Sequence, residues 1–448
     1  MHGEWQDNCG SGCTRSGMFR INGVSHAPTG AGHQPRWVAQ FLLQHVVRRA
    51  AQRQMAGGVG QMRVPATFLE SVLIPVAPIA EQERIADALD ELFSDLQTGV
   101  AALERVQEKL RLYRASVLKA AVEGTLTAQW RAANPHVEPA SDLLKRILVD
   151  RRRNWEQNQI AQFRAKGKEP PKSWKEKYKA PAMPKIETLP PLPAGWCWST
   201  IDQLGDIGTG ATPNRGMKLR YYDGGTIPWV VSSCVNSPGV REPTEFVTPT
   251  ALEECNLTLY PPGTLLIAMY GEGKTRGMWT ELLIESTTNQ ALAAVQAHPD
   301  VKEFLKVFLR KNYQDLRRAA SGGVQPNLNL RLIRDVALPL PPRAEQQIIC
   351  ESTQDKLSVI DHLESDIGVK LKGTQNLRQA ILRQAYTGQL VTQDPNDEPA
   401  SELLKRIVAE REARARETVA AIHASKTTKT KNAIRSSEHR RRKNKEEV

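Results

Sequence analysis

No apolar run in the 448 residues approaches the roughly 20 needed to cross a bilayer, and the first residues lack the basic-then-apolar pattern of a secretory signal. Both absences point to a cytoplasmic protein. Cysteine is sparse: Cys9, Cys13, Cys197, Cys234, Cys255 and Cys350 are scattered, and Cys9 with Cys13 has neither a second pair nor a histidine couple to complete a zinc site. Reduced thiols and no metal are expected. Catalytic signatures are missing too. There is no Asn/Asp-Pro-Pro-aromatic motif for methyl transfer to an amino group, no Gly-x-Ser-x-Gly elbow, no metal-spaced histidine set and no dinucleotide fingerprint after a strand. In a chain long enough for two or three domains, this silence favours a binding protein over an enzyme, with a nuclease built from scattered Asp and Glu as the rival.

What the chain has in excess is positive charge. A net +12 and a pI near 9.4 call for an anionic partner. Residues 425–448 hold nine Lys or Arg against three Glu and almost nothing apolar, so a basic disordered tail is expected over 421–448. The remainder of the chain stays basic without it.

The organising feature is a repeat. IPVAPIAEQERI at 74–85 leads through a helical pattern to VEGTL and EPASDLLKRI; LPLPPRAEQQII at 338–349 leads through a similar pattern to YTGQL and EPASELLKRI. Ala80 to Ala344 and Gly124 to Gly388 share one offset, so the two intervening helices are equally long. Prolines before each start and a glycine after each end mark the boundaries. Leu89, Leu92, Leu96, Leu103 and Leu110 in the first helix, and Ile360, Leu363, Ile367, Leu371 and Leu377 in the second, recur every three or four residues, with Thr374 as a polar break. Such a stripe is too narrow for a globular core, and pairing of the twin helices buries it. The expected fold is α+β: a mixed α/β domain plus two long helices, roughly 35 to 40 residues each, paired as an antiparallel coiled coil.

The helices divide the chain into 1–78, a first long helix and exit loop at 79–147, a Pro/Lys-rich linker at 148–192, a mixed domain at 193–340, a second long helix and exit segment at 341–420, and the tail. A helical segment, a Gly-Gly-Val and a strand-like VLIPV precede the first long helix in the order seen again before the second. Residues 1–78 therefore read as the remnant of another globular domain, about 75 residues shorter than its downstream copy. Within 193–340, TIPWVV, GTLLIAMY and ALAAVQA are strand candidates, and helices are expected at 249–256 and 301–319.

Three loops there could carry function. Ala268 to Thr275 fits a relaxed phosphate-loop pattern, but the β-rich run after it does not suit a helix N-terminus facing an anion. A strand-to-strand turn offering Lys274 and Arg276 to DNA competes with the ATP-binding reading and with an ordinary surface turn. Gly210–Trp229 mixes Arg215, Lys218, Arg220 and Tyr221 into a Gly-rich loop suited to phosphate contact and base-edge readout, or else an ordinary loop packed on Trp229. Asn289, Gln290 and Gln325 sit in amide and hydroxyl clusters that serve equally as base readers or turn residues.

Taken together, LPAGWCWSTIDQLGDIGTGATP at 192–213, YYDGGTIPWV, GEGKTRG, TTNQALAAV, QPNLN and above all the doubled proline-AEQ to EGTL/TGQL module resemble the DNA-specificity subunit of a Type I restriction-modification system. The resemblance covers residues 36 to about 410. It implies target-recognition domains that each read half of a split site on double-stranded DNA, and a helix pair that separates them and docks modification (methyltransferase) subunits, to which restriction (endonuclease/translocase) subunits add. It also implies that S-adenosylmethionine, ATP and Mg belong to those partners, this chain binding no cofactor. A phosphate-loop ATPase, a nuclease and a coiled-coil scaffold without DNA binding are the alternatives.

Overall fold

A computed structural model describes residues 35–57, 62–165, 167–271, 275–319, 328–410 and parts of 412–420. In chain order the elements are α1 (Pro35–Leu42), α2 (His45–Arg53), α3 (Ala66–Ser71), α4 (Ile79–Val122), α5 (Ala128–Ala133), α6 (Ala140–Ala165), β1 (Cys197–Thr200), α7 (Ile201–Leu204), β2 (Gly205–Thr209), α8 (Lys218–Tyr221) and β3 (Ile227–Val230). Next come β4 (Glu245–Val247), α9 (Pro249–Glu254), β5 (Leu265–Ala268), β6 (Trp279–Glu281), β7 (Thr287–Thr288), β8 (Leu292–Ala297), α10 (Lys302–Ala319), α11 (Leu330–Arg334), β9 (Ala337–Leu340) and α12 (Arg343–Tyr386). Two compact units divide the chain, 1–106 with 366–448 and 107–365, and both long helices run from one into the other.

The twin helices are each 44 residues, longer than expected from the seam. Their starts are built alike: Gln82 and Gln346 donate backbone N–H to Pro78 and Pro342, and their side-chain amides donate to the carbonyls of Ala77 and Pro341 at 2.7 and 3.0 Å. Proline cannot donate to a preceding turn, so the helix begins where a proline carbonyl is first usable. The ends are alike as well, with Gly124 at φ +74° and Gly388 at +71°, the left-handed conformation that favours glycine after a last helical turn.

In the 107–365 unit the late part of α4 lies against the early part of α12. Leu118, Ala121 and Val122 join Ile349, Leu357 and Ile360 in one buried cluster, and Arg114 pairs with Asp361 at 2.5 Å and Glu364 at 3.0 Å. In the other unit the early part of α4 meets the late part of α12, with Ile85 and Leu89 buried against Ile381, Leu382 and Ala385. The pairing is antiparallel, as expected. The seam is not closed throughout. Leu363 and Leu377 remain 42% and 49% exposed, and Leu92, Leu96, Leu103 and Leu377 line an open apolar groove. Gly99 and Thr374 face this groove, and neither side chain is large or apolar enough to fill it.

The mixed domain holds three small sheets: β1 with β9, a four-stranded sheet in the order β2-β8-β5-β6, and a three-stranded one in the order β4-β3-β7. The expected strands and helices of 193–340 are all present. β5 is buried at every residue, and Phe304, Leu305 and Phe308 of α10 complete its core. The β1–β9 pair, with Cys197 opposite Leu340 and Thr200 opposite Ala337, closes the domain next to the start of α12.

Two expectations are corrected. Residues 148–165, assigned to the linker, continue α6: EPAS breaks the chain at Pro139, but no further glycine or proline occurs before Gly167, so the helix runs for 26 residues. VLIPV at 72–76, the counterpart of β9, forms no strand, because among the described residues no counterpart of β1 pairs with it. Leu73 is accordingly 91% exposed. The tail at 421–448 lies outside the described residues.

Candidate nucleic-acid interface

The Gly210–Trp229 loop is held by its own aromatics. Tyr222 donates its hydroxyl to the Pro213 carbonyl at 2.6 Å, and the Trp229 indole donates to the Ala211 carbonyl at 3.2 Å. Asn214 caps the next turn by accepting the Gly216 N–H at 2.9 Å. A side chain at Gly210 would place its Cβ 1.6 Å from the Thr288 carbonyl oxygen, so only glycine lets the loop leave β2 there.

On this frame the expected contact residues take different parts. The Arg215 guanidinium makes two hydrogen bonds to Glu245, at 2.5 and 2.9 Å, and lies 4.5 Å over Tyr222 and 5.2 Å over Trp229. Arg220 pairs through two nitrogens with Glu254, and the Tyr221 hydroxyl donates to the same carboxylate at 3.1 Å. Hydrogen bonds from Arg215 hold the Glu245 carboxyl below its ordinary range, and those from Arg220 do the same for Glu254. Both ion pairs lie at the surface, where solvent weakens them. Lys218 is 75% exposed at its side chain and only loosely faces Asp223, at 3.9 Å.

Tyr221, expected at the interface, is instead buried, because the turn of α8 directs it toward Val247 and Ala251. Arg276 and Asn289 are half-buried; the Asn289 side chain accepts the Ala291 N–H at 3.2 Å, a turn-forming role. Gln290 is exposed and its side chain accepts from the Thr212 hydroxyl, joining the loop to the end of β7. Lys274 and Gln325 lie outside the described residues. From Thr275 the chain turns directly into β6 and forms no helix, so the phosphate-loop reading lacks the helix N-terminus it needs.

Sequence reasoning passed over Met217 and Leu219, which stand 43% and 85% exposed around Lys218. An apolar residue set between two cations on a glycine-rich loop was the available signal. Exposed apolar atoms beside cations suit the mixed surface of a base edge, where a thymine methyl lies next to hydrogen-bonding groups. Among the described residues no group of His, Cys, Asp and Glu could hold a metal ion, and no helix is long and apolar enough to cross a membrane.

In this domain an α/β frame raises a basic loop and leads through β9 into a long helix. Residues 193–370 match the family model of the Type I restriction modification DNA specificity domain. The chain is 24% identical over 389 residues to the EcoDI specificity subunit of Escherichia coli, covering 83% of this chain and 76% of that one. To the EcoKI specificity subunit of Escherichia coli strain K12 it is 23% identical over 401 residues, with 84% and 72% covered. A solved structure from work on complex assembly and conformational transition of the type I R-M system shares the fold, with a TM-score of 0.55, 16% identity, and 80% and 72% of the two chains covered.

Proposed function

We propose that the chain reads one part of a DNA target through the loops of residues 193–340 and delivers modification and restriction subunits to it. The observation that carries this is the Lys218 loop: cations prearranged by Glu245 and Glu254 on a frame joined by β9 and two prolines to a 44-residue helix. Phosphate contacts from such a loop fix register, and its amide, apolar and arginine groups can discriminate base edges. The helix pair supplies the spacer, and the open apolar groove beside Leu377 is a docking face for modification subunits. Methyl transfer and DNA cleavage, with S-adenosylmethionine, ATP and Mg, belong to those partners. This chain binds no cofactor, is not itself catalytic, and acts in the cytoplasm.

Co-purification with candidate modification subunits, followed by mapping of methylated sites, tests the proposal. A reproducible methylated sequence that changes when the 193–340 domain is exchanged supports it. Turnover of ATP or DNA by this chain alone would overturn it.

A further inference from the structure

A second concentration of positive charge in the sequence is away from the Lys218 loop. Residues 164–185 hold eight Lys or Arg against two Glu, on a segment that the sequence suggests is a loose linker. The structure makes it a strap folded back along α6. Trp174 stacks on Trp155 of the helix, with ring centres 5.7 Å apart and planes at 21°. One turn earlier on the helix, Arg152 lies 4.5 Å over the Tyr178 ring and donates to the Lys175 carbonyl at 3.2 Å. Farther along, the Ala182 N–H donates to Asp202 at 2.9 Å, and the Ala182 carbonyl accepts from the Thr200 hydroxyl at 2.7 Å. The helix is itself fastened to the domain, with Arg151 donating to the Gly205 carbonyl at 3.0 Å.

These anchors leave the lysines outside. Lys168, Lys172, Lys177 and Lys179 are exposed, and among the described residues none of them forms an ion pair. Fixed, unpaired cations of one sign are costly to gather unless a polyanion meets them. We propose that α6 and its strap form a second, sequence-independent DNA contact that grips phosphates outside the bases read by the 193–340 loops. This rests on the DNA-reading function above. Lysine is suited to the task, because as a flexible point charge it contacts phosphate without imposing the geometry of base readout. The fixed strap keeps those charges at one place on the domain, so the grip adds affinity and orientation while leaving base choice to the loops.

The test uses the complex assembled with its modification subunits. Binding to the methylated target duplex and to a scrambled duplex of equal length is measured across salt concentration, for the parent complex and for a K172E/K177E/K179E triple variant. Tryptophan fluorescence reports whether Trp174 stays on Trp155. The expected result is weaker binding to both duplexes by the same factor, a salt slope smaller by about 2 to 3, and unchanged methylated sites. An unchanged slope with the strap docked would overturn the proposal, as would loss of modification subunits with DNA affinity otherwise intact, which would make the strap a protein-docking surface. A triple Lys→Gln variant must show the same direction with a smaller change. If the parent complex did not distinguish the two duplexes, base reading would fall, while a slope lowered by the variant would still establish the strap as a phosphate contact.

Discussion

Glu345, fully buried at the start of α12, accepts a hydrogen bond from the Trp196 indole at 2.8 Å. Its other oxygen accepts from the Thr127 hydroxyl at 2.6 Å and from Arg131 at 2.5 Å. One carboxylate thus ties the exit of the first long helix, the residue that leads into the first strand of the mixed domain and the start of the second long helix. Glu81, its counterpart in the repeat, is also buried, at 5% exposure, yet the described residues give it no such donor, and Val391 stands where Thr127 would.

Glu345→Ala leaves an indole, a hydroxyl and a guanidinium without their shared acceptor. A loss of roughly 3–5 kcal/mol is expected from breaking a buried charged pair. Glu81→Ala should cost less, because among the described residues nothing around Glu81 matches the indole, hydroxyl and guanidinium that converge on Glu345. Calorimetric melting of the two variants checks the difference, and equal losses would contradict it.

In the Lys218 loop the two basic roles separate experimentally. Lys218→Ala should weaken DNA binding and lower the salt slope by about 1, with melting unchanged. Arg215→Ala removes a guanidinium held against Tyr222, Trp229 and Glu245, so binding and thermal stability should fall together. Titration and melting of the same preparations distinguish the two patterns.

Glu281 on β6 receives Lys302 at 3.1 Å and Lys306 at 2.6 Å from α10. Burial raises its carboxyl, but the hydrogen bonds from Lys306 and Lys302 outweigh burial and hold it below the ordinary 4.5. The folded state therefore binds this proton more weakly than the unfolded chain. The stabilisation is present above the ordinary value and is lost as pH falls through the lower folded value. Glu281→Gln should cost roughly 2 kcal/mol near neutrality and flatten the decline of Tm on the acid side, from about pH 5 downward. An unaltered acid profile would show that this group does not contribute.

Both long helices have 44 residues, so the spacer can be shortened without losing register between them. Removing one heptad from each shortens the pair by about 10 Å, or about three base pairs of B-DNA. Methylated sites should then show a correspondingly shorter unread gap, or binding should be abolished, with the bases chosen by residues 193–340 unchanged. A changed base preference would contradict a spacer role.

The sequence determined the elements whose causes are local. Prolines before Ile79 and Arg343, glycines at 124 and 388 and the three-and-four spacing of leucines fix where the long helices begin and end and which face is apolar, and the apolar runs fix β3, β5 and β8. What depends on encounters between distant segments was decided only by tertiary structure. A strand needs a neighbour, so LeuProLeu at 338–340 is a strand beside Cys197–Thr200, while LeuIlePro at 73–75 is not. A tyrosine on a short helix faces inward or outward by one turn of phase, so Tyr221 is buried and Leu219 exposed. A lysine-rich stretch reads as loose chain until Trp155 and Arg152, on a helix about 20 residues earlier, supply the surface onto which Trp174 and Tyr178 fold.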